Sequence, residues 1–385
     1  MQFGIDQLVF YKFENLKNKD VALLTHVPAT DCGLQPTLQH FMQRKDINLR
    51  LIFAPEHGLF SALQDQVYVK GHKQKRIPVF SLYNKNFMSQ INILKEIAIL
   101  VVDLIDIGAR YYTFTWSAVL LMKQLSRLNK KMVILDRPNP LNGITIQGPV
   151  LEKRFQSFVG LYQLPVRHGL TIGEICNMIN SEENIFVDLE IIKVQGWKRK
   201  LYFSDCGLKW TVPSPNMPSF ETALVYPGMC LLEGTNVSEG RGTTRPFEIF
   251  GAPWIDEERL VEKLDSKKIP GVQFRPLKFI PTFHKYRGVV CGGAQIYVND
   301  LENFDPVCTG LEIISTIRKI YPKKFAWRKP PYEFEKKKMP FDILIGNSWI
   351  RKAIEKGKPV DSMKERWEKD LKQFKQKRER YLLYE

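Results

Sequence analysis

The chain has 385 residues, 44% of them hydrophobic and 12% aromatic, enough for two domains with sizeable cores; this excludes a disordered protein. Lys and Arg number 57 against 41 Asp and Glu, and the formal charge of +16 leaves nucleic acid, an anionic surface or an acidic small substrate open as partners. Much of the excess sits in Lys-rich segments near the C-terminus, "EKKKM" at 335–339 and "KQFKQKRERY" at 372–381, which read as solvated faces and weaken the nucleic-acid reading.

The N-terminal stretch "MQFGIDQLVFYKF" has no basic region followed by an unbroken apolar one, and no window approaches 18 uninterrupted apolar residues. The expectation is a cytoplasmic protein without membrane insertion, or a secreted one if a leader was trimmed. Cys32, Cys176, Cys206, Cys230, Cys291 and Cys308 form no C-x-x-C pair, so neither a structural zinc site nor a disulfide framework is expected.

The first half alternates short apolar runs with helical segments. The runs are "VALLTH" (21–26), "LRLIFAP" (49–55), "IPVFSL" (77–82), "IAILVVDLID" (97–106) and "KMVILD" (131–136), with helices expected over 36–45, 86–95 and 114–129. This alternation predicts an α/β fold, a Rossmann-like doubly wound and mostly parallel sheet, whose ligands bind at the C-terminal strand ends. Those ends carry Thr25 and His26, Glu56 and His57, Asp103 and Asp106, and Asp136 and Arg137. No glycine-rich dinucleotide or P-loop motif follows a strand, so no cofactor is expected.

A helix with Thr171 as its N-cap follows over 171–180, then a strand over 188–194. Residues 211–254 are dense in Pro, Gly, Asn, Ser and Thr and predict a long irregular, site-forming segment. Beyond it come a helix near 256–265, strands at 272–280 and 292–298, a helix near 309–320 and a terminal helix near 361–382. The expected organisation is a Rossmann-like catalytic domain, 1–227, and a smaller auxiliary α+β domain, 228–385, completing a cleft.

Glu56 is the leading candidate for chemistry. A carboxylate at the mouth of an apolar strand is partly desolvated, which raises its pKa and suits a general acid; the alternative is a helix cap or an arginine partner. Residues alternate in direction along a strand, so Glu56 and His57 can face one ligand only if the strand has already turned. His26, Glu56, His57 and Asp103 could be imagined around a metal, but no H-x-H or H-x-x-x-H spacing supports it, and no metal is expected. "DIGARYYTF" (106–114) offers Arg110 to clamp a carboxylate and Tyr112 to donate a proton, with Tyr111 a core aromatic. In "LLEGTNVSEGRGTTRPFE" (231–248), Glu233, Asn236, Glu239, Arg241 and Arg245 sit among glycines that let backbone approach a ligand. Asn216 lies just upstream in the same irregular stretch.

"APEHGLF", "DIGARYYTF", "VILDRPNPLNG", "GPVLEKRFQSFVGLYQLPVRHGLTIGE", "PSPNMPSFETALVYPGMCLLEGTNVSEGRGTTRPFEIFGAPW" and "FDILIGNSWIRKAI" together resemble the family once catalogued as domain of unknown function 1343, the NamZ-type exo-β-N-acetylmuramidases. The resemblance runs in order from about residue 4 to the C-terminus. It implies a glycoside hydrolase of peptidoglycan turnover that removes N-acetylmuramic acid from non-reducing ends, with the site in a cleft between a Rossmann-like and an auxiliary domain. It places the family's catalytic Glu on Glu56 and its Arg-aromatic-Tyr motif on Arg110 to Tyr112. The chain departs from the family at His26, where Asn is usual, and at Ile105, where Gln is usual.

The expected reaction assigns protonation of the glycosidic oxygen to Glu56, the second carboxylate to Glu233 or else Glu239, and donation to Tyr112. His26, His57, Arg110, Asn216, Asn236, Glu239, Arg241 and Arg245 are expected to bind substrate, the arginines meeting the lactyl carboxylate. The expected partners are peptidoglycan-derived saccharides, not nucleic acid. The alternative function is a catalytically silent muropeptide- or sugar-binding protein of the same fold.

Overall fold

In the computed structural model of the protein, residues 1–64, 72–74, 77–82 and 87–385 are described. The first part comprises α1 (Gly4–Phe10), β1 (Asp20–Thr25), α2 (Thr37–Gln43), β2 (Asn48–Ala54), β3 (His72–Gln74), β4 (Ile77–Ser81), β5 (Ile99–Asp103), α3 (Phe114–Arg127), β6 (Lys131–Leu135), α4 (Ile172–Glu182) and β7 (Asp188–Ile192). Their sheet runs β3-β4-β2-β1-β5-β6-β7, parallel throughout except for the β3–β4 pair. The chain works outward from β1 through β2 and β4, then restarts on the other side of β1 with β5. That reversal leaves a crevice between the ends of β1 and β5, the usual place for ligands in such sheets.

Apolar runs that read as uniform in sequence are divided by the pleat between two cores. Ala22, Leu24, Leu51, Phe53, Leu100 and Val102 face the core under α3 and α4, while Val21, Leu23, Ile52, Ala54, Val101 and Val133 face the one under α1 and α2. Period-two alternation inside an all-apolar strand is what coverage on both faces demands. The cap predicted for α4 is present: the Thr171 side chain accepts from the Glu174 backbone amide and the Glu174 side chain from that of Thr171. The helix expected at 86–95 is a 3₁₀ segment, Phe87–Glu96; its first expected residue lies outside the described ones.

The second part comprises α5 (Phe220–Met229), β8 (Ile249–Ala252), α6 (Glu257–Asp265), β9 (Val272–Phe279), β10 (Cys291–Val298), α7 (Pro306–Ile320), α8 (Pro340–Ile345), α9 (Trp349–Glu355) and α10 (Val360–Arg378). A three-stranded antiparallel sheet, β8-β10-β9, packs on α6, which in turn packs on α7. No helix among the described residues is long and apolar enough to cross a membrane.

The stretch 211–254 is more regular than its composition suggests. It holds α5, capped by Ser219, then a 3₁₀ turn, Cys230–Gly234, and β8. Pro227 and Gly228 read as breakers, yet both lie inside α5, where Gly228 serves packing: a Cβ there would overlap the Pro306 carbonyl at the start of α7, and one on Gly310 would meet the Gly228 carbonyl in return. Residue 227 therefore falls within a helix, and the chain passes from one sheet to the other along α5. Helices α8 and α9 carry no strong sequence pattern and have no counterpart among the expected elements.

Candidate active site

Pro55 follows the last paired residue of β2, and the chain turns at once: His57 takes φ +69° and Gly58 φ +77°, while the Gly58 amide donates to the Pro55 carbonyl. Because of this left-handed step, Glu56 and His57 line the same cavity instead of facing opposite sides of a strand. Glu56 is 6% exposed and its Oε2 accepts from Thr113 Oγ1 at 2.7 Å. His57 Nδ1 donates to the Leu63 carbonyl at 2.7 Å.

The cavity holds about 540 Å³ and also takes in Tyr112, Thr113, Ser214, Asn216, Tyr226, Glu233, Arg241, Phe247 and Tyr332. Tyr112 comes from the turn after β5; its ring lies 4.7 Å from that of Phe114, and its buried hydroxyl faces Ser214. Burial drives its phenol far above the usual range, so the hydroxyl remains a donor. Tyr111 also touches the cavity, but its hydroxyl donates to the Pro227 carbonyl.

Glu233, on the 3₁₀ turn after α5, is held at both oxygens. Arg241 Nη2 donates to Oε1 at 2.7 Å and the Tyr332 hydroxyl to Oε2 at 2.7 Å. Arg241 lies 5.0 Å over the Phe247 ring, with its Nε 3.4 Å from Glu239. Glu239 is fully buried behind it, 2.8 Å from Lys285 Nζ and 3.1 Å from His284 Nδ1. Burial alone would raise its carboxyl pKa, but Lys285, His284 and Arg241 outweigh that and hold it well below the usual carboxylate range. A row of alternating charge, Lys285–Glu239–Arg241–Glu233, thus ends at the cavity wall.

Of the residues expected at the site, Glu56, His57, Tyr112, Asn216, Glu233 and Arg241 line this cavity, and the other five do not. Arg110 is 1% exposed and donates to the carbonyls of Pro149, Leu164 and Leu344 at 2.9, 2.7 and 2.8 Å, so its guanidinium is spent on backbone and not on a ligand carboxylate. Asn236 ties a loop down, its amide donating to the Lys324 carbonyl and accepting from the Ala326 amide. Arg245 is half-exposed and paired with Glu248. Glu239 sits behind Arg241.

His26 is fully buried: its Nδ1 is 2.9 Å from Ser61 Oγ, and its Nε2 accepts from the Ile105 amide at 3.2 Å. Burial, then Arg137 and His57, push its pKa down to about 3, so it is neutral. The two positions at which the sequence departs from the family pattern are therefore in direct contact, bracing the turn that carries Glu56 against the end of β5. Tyr332, His284 and Lys285 were missed from sequence; Tyr332 lies 99 positions from the carboxylate it holds, with no motif around it.

A second cavity of about 530 Å³ opens over β1, β5 and β6, between Thr30, Asp106, Arg137, Phe203 and Trp210. Among its lining carboxyls Asp106 bears on stability: burial pushes it up to about 7, against bonds from the Gly108 amide and Thr115. The unfolded chain ionises near 3.8 and the folded one near 7. The stabilisation from this proton is complete below the lower value and is lost as pH rises through the upper one. Urea unfolding of wild type and Asp106→Asn between pH 4.5 and 8 should show the variant gaining on wild type as pH rises; a constant difference would count against the buried proton.

Two family models match the chain. The one described as exo-beta-N-acetylmuramidase NamZ, N-terminal, covers residues 21–221, and the C-terminal one covers 224–384. A protein named peptidoglycan beta-N-acetylmuramidase NamZ, from Bacillus subtilis (strain 168), is 41% identical over 386 residues, spanning 100% of this chain and 91% of that protein. Crystal structures of two DUF1343 family proteins from Bacteroides fragilis NCTC 9343 superpose with TM-scores of 0.90 and 0.74 at 30% and 28% identity, each covering 100% of this chain and 99% of the other.

Proposed function

Because the chain belongs to the NamZ exo-β-N-acetylmuramidase family, we propose that it releases N-acetylmuramic acid from the non-reducing end of peptidoglycan fragments, in the cavity over β2. The observation that carries the residue roles is that one cavity holds two buried carboxyls in unlike surroundings. Glu56 accepts from a neutral hydroxyl at Oε2, and its Oε1 is assigned the delivery of a proton to the glycosidic oxygen. Glu233, which accepts from a guanidinium and a phenol, is assigned as the second carboxyl for an oxocarbenium-like transition state.

Tyr112 supplies a buried hydroxyl beside Ser214, available to the substrate's oxygens. A muramic acid also brings a lactyl carboxylate, and Arg241 is the one Arg or Lys among the described lining residues. Asn216, whose amide donates to Gln64 at 2.7 Å, adds a neutral polar group suited to hydroxyl or acetamido recognition.

The test is to incubate the full chain with peptidoglycan fragments that begin in N-acetylmuramic acid and follow them by mass spectrometry. Free N-acetylmuramic acid and a fragment shortened by one sugar are expected. The His26–Ile105 contact beside the acid's turn favours one second reading, a protein that binds these fragments without turning them over. Saturable binding with no released sugar would replace the hydrolase reading with that one.

A further inference from the structure

Helices α9 and α10 enclose an open groove of about 810 Å³ lined by Trp349, Lys352, Lys356, Lys358, Ser362 and Arg366, with Ala353 and Met363 as its apolar floor. We propose that this groove binds a linear phosphodiester polymer whose repeating unit carries no base. No carboxylate lines it, and none of its four cations is in an ion pair among the described residues. On the same helices Arg351 pairs with Asp342 and Glu355, Lys364 with Asp305, and Lys377 with Glu182. Lys352 and Lys356 stand one turn apart, a like-charge spacing that disfavours the helix unless an anion lies between them.

The groove reads charge and nothing finer. Arg366 lies 4.2 Å over the Trp349 ring, which fixes the guanidinium flat and covers the one aromatic face a base could stack on. The lining contains no Asn, Gln or His to bond base edges. It does reach the start of α10, a 19-residue helix with no side-chain cap, whose first-turn amides favour a phosphate oxygen. The chain's +16 charge adds long-range attraction for any polyanion. None of this draws on the chemistry of the cavity over β2, so the inference stands or falls apart from the hydrolase reading.

The experiment measures binding of poly(glycerol phosphate) to the full chain and to a variant carrying Lys352→Ala, Lys356→Ala, Lys358→Ala and Arg366→Ala. Four neutralised phosphates at the single-strand slope predict an affinity about 50-fold weaker at 200 mM than at 50 mM salt. The variant should bind at least about tenfold more weakly at 50 mM. Release of N-acetylmuramic acid from a soluble fragment should be unchanged. A second variant, Lys356→Glu with Lys358→Glu, alters exposed positions beyond the last turn of α9 and guards against misfolding of the first. Unchanged binding in both variants overturns the proposal, as does salt-independent binding. Tighter binding of oligo(dT) or of phosphatidylserine vesicles than of the polymer would assign the groove to nucleic acid or membrane instead.

Discussion

Glu56→Gln should lower kcat for fragments of peptidoglycan by about 10²- to 10⁴-fold while leaving KM near wild type. The amide is nearly isosteric and can still accept from Thr113, so the turn after β2 keeps its shape and only the transferable proton is lost. Two further readouts separate this from a loss of fold. A glycoside whose leaving group is stable as an anion needs no protonation, so the variant's defect should shrink sharply on it. The urea-unfolding midpoint of the variant should also match that of wild type. A variant retaining more than a tenth of the wild-type rate on a natural fragment would take the acid role away from Glu56.

The second large effect concerns stability. Arg110→Met should destabilise the protein by on the order of 3–5 kcal/mol, measured as the shift in urea unfolding. Removal of the guanidinium strands three buried carbonyls, those of Pro149, Leu164 and Leu344. Arg110→Lys should recover little, because a single ammonium cannot reproduce the planar fork that spans all three. Were Arg110 a clamp for substrate, the opposite pattern would appear: a raised KM with the unfolding midpoint unmoved. Leu344 lines the cavity, so loss of this tie is also expected to loosen the cavity wall.

Arg110 also shows why some of the site was not legible in the sequence. An Arg beside two tyrosines past a strand end has the chemistry of a ligand clamp, and nothing in its neighbours reveals otherwise. Its partners are backbone carbonyls, which leave no mark in sequence, and one of them lies 234 positions away. The same applies to Tyr332 and Lys285, which fix Glu233 and Glu239 from distant loops. What could be read was local: apolar runs bounded by ionisable residues gave the parallel strands, and Thr171 gave its helix start. Glu56 stood out because a carboxylate directly after a buried strand is costly unless something uses it. Helix α5 was hidden because Pro227 and Gly228 were weighed as local breakers, whereas the contact with α7 decides that segment.

The wall that completes the cavity has a consequence for the order in which the protein becomes competent. Glu56 is synthesised long before Tyr332 and Leu344, and until Tyr332 is made Glu233 lacks one of its two anchors. A growing chain can assemble its parallel sheet while the reaction chamber is still open on one side. Closure of the cavity therefore follows the sheet, and a chain cut short before α8 would carry Glu56 without Leu344 in the cavity wall.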